Sequence, residues 1–181
     1  MKILQVPDPR LRKKTKKIEE ITPGIKQIAR KMMATLKGKS IALAANQVGI
    51  LKKIIVLKSM PKSKKKALSA KDKDDLKKRT IPKTVLINPE ILGKSKKQVT
   101  AEEGCLSFME PEIRAEVTRP AKVTVKAQGL DSKVVILKKG DLFGRALQHE
   151  IDHLNGILFV DRANPETIYK VEKKEKGESK L

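Results

Sequence analysis

With a single cysteine, Cys105, the 181-residue chain can form no internal disulfide, which fits a reducing compartment. It has no tryptophan, one tyrosine and three phenylalanines, so it lacks the stacking platforms on which sequence-reading RNA and single-strand binders hold bases. No apolar run approaches the roughly 18 residues of a membrane span, and residues 1–8 contain no signal-peptide core. These absences predict a cytoplasmic protein with no membrane partner. Acids are also scarce: 21 Asp and Glu face 42 Lys and Arg, a formal charge of +21. Such an excess predicts attraction to polyanions by counterion release, RNA first among them, through phosphate contacts that read little sequence. The basic residues crowd into Arg10 to Lys17 and into residues 58–83, where the only acids are Asp72, Asp74 and Asp75.

Histidine is nearly absent too, and its placement is informative. Both histidines, His149 and His153, lie in Gln148-His149-Glu150-Ile151-Asp152-His153. On a helix, residues four apart share a face one turn from each other, so two imidazoles can reach one ion, with Glu150 beside the open side as a proton-handling carboxylate. Cys105, in Glu103-Gly104-Cys105-Leu106-Ser107, is the remaining borderline-soft donor. Chance surface histidines and a small buried cysteine are the bland reading. A His-Glu-x-x-His word with no histidine elsewhere favours a hydrolytic metal centre, for which the donor types alone suggest zinc. A metallopeptidase with this word would need a third ligand downstream, and only Asp161 or Glu166 is available.

The length fits one domain. Thr22-Pro23 predicts a helix start, with Ile25, Ile28, Ala29, Met32, Met33 and Leu36 at helical spacing until Gly38. Strands are predicted at residues 54–57, 84–89, 98–103 and 122–127, the last pairing with 133–137 across a Gly129-Leu130-Asp131-Ser132 turn. The polar, aperiodic residues 58–83 read as a long mobile loop inserted between strands. A second helix is predicted from Asp141, as cap, to Asn155, with Gly156 just beyond. Asn164-Pro165 predicts a short C-terminal helix. The fold class is therefore α+β, antiparallel strands around the helix that carries both histidines, over a domain of residues 1–168 followed by a basic tail, 169–181.

In order along the chain, Ser40-Ile41-Ala42-Leu43-Ala44-Ala45-Asn46-Gln47, Glu103-Gly104-Cys105-Leu106-Ser107 and Gln148-His149-Glu150-Ile151-Asp152-His153 closely resemble the three motifs of peptide deformylase. The resemblance extends to Leu4-Gln5-Val6-Pro7-Asp8-Pro9-Arg10-Leu11 and to Leu154-Asn155-Gly156-Ile157-Leu158-Phe159. It implies Cys105, His149 and His153 as metal ligands and Glu150 as catalytic acid/base. It also implies Gln47 with the backbone N–H of Leu106 as donors to the developing oxyanion, and Ile41, Ala42, Gly104, Leu142 and Ala146 as substrate contacts. The implied metal is ferrous iron, with zinc or nickel as alternatives. The implied substrate is the formyl-methionyl end of a nascent peptide, met by a monomer near the ribosome. Glu103 is expected to brace the cysteine segment through a basic partner such as Arg119, with Gln148 and Asp152 close by.

Three departures from the family pattern carry expectations of their own. Ser40 and Ala42 stand where that pattern has glycines, so the Ala42 methyl is expected to crowd an approaching substrate backbone. The stretch from Phe108 to Ile113 is longer than expected. The lysine-rich insertion at 58–83 has no counterpart in the common core. A catalytically weak, RNA-associated relative of the enzyme is the competing function.

Overall fold

A computed structural model describes residues 1–36, 40–58, 60–61, 80–81 and 83–171, with 60–61 and 80–81 as backbone only. A five-stranded antiparallel sheet has the order β1 (Ala42–Ala44), β2 (Ile54–Leu57), β5 (Thr84–Lys94), β8 (Lys122–Gln128), β9 (Val134–Gly140). A second antiparallel sheet joins β6 (Gln98–Met109), β7 (Glu112–Pro120) and β10 (Tyr169–Lys170). Two-residue strands β3 (Met60–Pro61) and β4 (Thr80–Ile81) pair at the base of the lysine-rich insertion. Residues 59, 62–79 and 82 of that insertion and residues 172–181 of the basic tail lie outside the described residues.

Strand alternation explains why β2 is apolar throughout. Ile54 and Val56 face helix α1 (Pro23–Thr35) together with Ile25, Ala29 and Met32, while Ile55 and Leu57 face helix α2 (Asp141–Leu154) together with Phe143, Leu147 and Ile151. All four β2 residues are fully buried, each stabilising by about 1.5–3 kcal/mol. The Thr22 side chain caps α1 by accepting from the Ile25 N–H, as expected, and the helix is over at Leu36, before Gly38, which is not among the described residues. Ten of the 14 residues of α2 are buried. No helix among the described residues is long and apolar enough to cross a membrane.

Two expectations are corrected. Asp141 does not cap α2: Gly140 occupies the cap without a side-chain bond, and Asp141 is the first helical residue, where its charge complements the helix dipole. In place of a C-terminal helix, Pro165–Thr167 form one 3-10 turn and Tyr169–Lys170 pair with β7, so the first residues of the basic tail belong to the sheet. Strand β7 was not expected, although Ile113, Ala115 and Val117 alternate with Arg114, Glu116 and Thr118 in the period of a strand with one buried face. The long Phe108–Ile113 stretch is the tip of the β6–β7 hairpin, turning at a cis Glu110-Pro111 bond. Beyond α2, Gly156 has φ +76°, and a Cβ there would meet the Arg12 carbonyl, so the chain requires glycine for two reasons.

Candidate metal centre

Helix α2 presents His149 and His153 one turn apart, their rings edge to face with centroids 4.9 Å apart. Strand β6 brings Cys105 against them, with its Sγ 3.2 Å from His153 Nε2. One sulfur and one nitrogen from each ring lie within 4.8 Å of one another. A thiolate and two imidazoles this close are a donor set that fits one divalent ion and leaves a position for water. Asp161, the alternative third ligand, is instead engaged by Arg12 and by the Leu158 N–H. Burial, aided by the charge of His149, holds His153 well below the usual histidine range, in the neutral form a metal needs. Burial also pulls His149 down, but its hydrogen bonds to Cys105 and Glu103 outweigh that and hold it well above the usual range. Coordination through His149 would require loss of the proton held there.

Behind His149 stands a buried ionic network. Glu103 Oε2 lies 2.9 Å from His149 Nδ1, which leaves Nε2 to face the site. Arg119 donates to both Glu103 oxygens at 2.6 and 3.0 Å and, with its other arm, to Asp152 at 2.7 Å. Arg145 adds a 2.6 Å bond to Glu103 and two more to the carbonyls of Val117 and Val99. Arg162 grips both Asp152 oxygens at 2.6 and 2.7 Å. Burial pushes the Glu103 carboxyl up, yet the bonds from His149 and Arg119 hold it well below the ordinary carboxylate range. The Glu103–Arg119 pair and the proximity of Asp152 were anticipated, whereas Arg145 and Arg162 were not. Gln148 ties α2 to the Pro120 carbonyl and also donates to the Gly144 carbonyl one turn back on the same helix.

The 3-10 turn Ala45–Val48 places Gln47 on the opposite side. Its Oε1 accepts from the Ala44 N–H at 2.9 Å, which fixes the amide so that Nε2 points at Cys105 Sγ (3.3 Å) and Ser107 Oγ (3.4 Å). Asn46 reaches back to the carbonyls of Leu11 and His153. Glu150 is 5% exposed, and one of its oxygens has no hydrogen-bond partner. Burial raises its pKa to about 7, against the pull of His149. A buried carboxyl with a spare oxygen and a pKa near neutrality is suited to proton transfer in both directions.

Among the expected substrate contacts, Ala42 and Ala146 are buried in one apolar cluster against which Ile41 packs. Leu142 is half exposed and lies outside that cluster. Gly104 is covered by the side chain of Arg114, its partner across the hairpin.

A family model described as polypeptide deformylase matches residues 1–168. The peptide deformylase of Desulforudis audaxviator is 39% identical over 169 residues, covering 93% of this chain and 95% of the relative. That of Natranaerobius thermophilus is 40% identical over 157 residues, 86% of this chain and 87% of the relative. Among solved structures, Plasmodium falciparum peptide deformylase superimposes with a TM-score of 0.74 at 32% identity over 91% of this chain and 87% of its own. A peptide deformylase from Synechococcus elongatus in complex with actinonin gives 0.75 at 33% identity, covering 91% and 81%.

Proposed function

The chain belongs to the polypeptide deformylase family, and from that premise we propose how its own residues carry out the reaction. The reaction is hydrolysis of the formyl amide at the N-terminal methionine of nascent polypeptides, releasing formate and a free amine. The observation that carries the reading is the convergence of Cys105, His149 and His153 beside a buried Glu150 with an unpartnered oxygen. Those three residues hold the metal. When bound, a divalent ion supplies Lewis acidity and brings the pKa of water towards neutrality.

Glu150 accepts the proton of the attacking water and returns it to the departing amine nitrogen as the C–N bond breaks. Gln47 Nε2 and the Leu106 N–H donate to the formyl oxygen as negative charge grows on it, one such donor being worth about 2.7–4 kcal/mol. Glu103, clamped by Arg119 and Arg145, fixes the His149 tautomer. Ile41, Ala42 and Ala146 form the floor of a slot for the methionine side chain, with Leu142 at its open side and Gly104 along the peptide path. We assign ferrous iron on the family resemblance, with zinc and nickel as the alternatives that the donor set also accepts.

Residues 1–168 constitute the catalytic domain, acting as a monomer in the cytoplasm, where nascent chains emerge. The charge of +21 supports contact with ribosomal RNA. The insertion at 58–83 contributes to it, and Lys94, Lys122, Lys138 and Lys139 line one open recess that contains no acidic side chain. The direct test is formate release from formyl-Met peptides by metal-replete protein. Absence of release at full metal occupancy refutes the reading.

A further inference from the structure

The two donors to the oxyanion, Gln47 and Leu106, stand on segments far apart in sequence, so their spacing depends on what ties those segments together. The β6–β7 ladder does not do it. Its register runs from Gln98↔Pro120 to Gly104↔Arg114 and resumes only at Met109↔Glu112, so residues 105–108 have no partners in register on β7. The segment Leu4–Val6 lies along this gap. The Val6 N–H donates to the Ser107 carbonyl at 3.0 Å, and the Leu4 N–H donates to the Gln47 carbonyl at 2.8 Å. Between them, the Gln5 side chain donates from Nε2 to the Leu106 carbonyl at 2.9 Å and accepts at Oε1 from the Met109 N–H at 3.0 Å.

We propose that Gln5 is a positioning residue for the deformylation reaction: its side-chain amide bridges the Leu106 carbonyl and the Met109 N–H across the stretch that lacks partners on β7 and, with Leu4, sets the spacing between Gln47 and the Leu106 N–H. This rests on the assignment of those two groups as oxyanion donors. A primary amide suits the task because it offers one donor and one acceptor, as a peptide group does. Leucine of similar size offers neither, and a carboxylate cannot donate to Leu106. Donors aimed at a developing charge act through preorganisation, so slack in the segment lowers kcat while leaving the ground-state complex nearly unchanged.

The test uses metal-replete full-length protein with Gln5→Leu and Gln5→Glu, each also in a Gln47→Ala background. The expected result is a fall in kcat of about tenfold for both single variants, with KM and metal stoichiometry unchanged. Hydrogen exchange at the Met109 amide rises while α1 amides keep wild-type rates. In the Gln47→Ala background, Gln5→Leu has much less than its tenfold effect, because the spacing it controls no longer matters. Wild-type kcat in the Gln5 variants overturns the proposal, as does a loss that appears equally in KM, metal content and melting temperature. If Gln47→Ala abolishes turnover and Gln5→Leu is silent, only the brace falls; if Gln47→Ala is itself silent, the assignment beneath it falls.

Discussion

Replacing Arg119 with leucine puts a number on the network behind the metal centre. The Arg119 side chain is 4% exposed and bonds two acids, Glu103 and Asp152, which are otherwise held by Arg145 and Arg162. Removing one partner of a buried ion pair typically costs about 3–5 kcal/mol. Here each acid keeps one arginine, which places the expected loss near the lower end, about 3 kcal/mol, a large share of the 5–15 kcal/mol by which a domain is stable. Urea titration of metal-stripped and metal-replete protein measures it. Looser support of His149 should also weaken metal binding by roughly 10- to 100-fold in a chelator competition.

The pH dependence gives an independent sign. Because the folded Glu103 carboxyl is held below its ordinary value, its contribution is complete above the unfolded pKa and is lost as pH falls towards the folded one. Without Arg119 the folded value climbs back, so the variant loses less further stability than wild type on acidification. A double-mutant cycle with Glu103→Gln should show strong coupling. A stability loss under about 1 kcal/mol with unchanged metal affinity, the behaviour of a surface pair, refutes the reasoning.

Cys105→Ala, His149→Ala and His153→Ala should each abolish stoichiometric metal binding in elemental analysis; full retention by the Cys105 variant defeats the ligand set. Glu150→Gln should keep the metal and lose turnover by about 10²–10⁴-fold, since an amide cannot relay the proton, and near-normal formate release removes Glu150 from the mechanism. Ala42→Gly should raise kcat/KM on formyl-Met peptides by relieving the crowded slot, while costing about 0.5–1 kcal/mol of stability as a glycine within a strand. An unchanged rate shows a groove already adapted to the methyl. RNA binding should weaken steeply with salt, and neutralising Lys94, Lys122 and Lys138 together should flatten the log–log slope; a salt-independent association contradicts phosphate contact.

The Cys105–His149–His153 cluster could be read from the chain because scarcity made its members conspicuous: two histidines at helical spacing and one cysteine leave little choice. Helix α1 was equally legible, since Thr22-Pro23 and the apolar stripe from Ile25 to Leu36 state its start and its buried face. Arg145 carries a weaker signal, being four residues before His149 and so on the same helix face, but a lone arginine there reads as a solvated side chain until Glu103 is placed beside it. Gln5 and Arg162 carry none, because their roles arise from contacts with residues 106–109 and Asp152 that local periodicity does not encode. The C-terminal turn was misread for a related reason. Asn164 caps Pro165–Thr167 as a helix start would, and pairing of the next residues with β7 then takes the chain elsewhere.

The burial of the donors also bears on how an ion, once seated, is exchanged. His153 is 1% exposed and Cys105 8%, and the peptide behind His153 is held by Asn46, so among the three donors His149 offers the least obstructed side. The opening that would admit a formyl peptide to these donors would then also be the way in and out for an ion, so a bound peptide would slow its exchange.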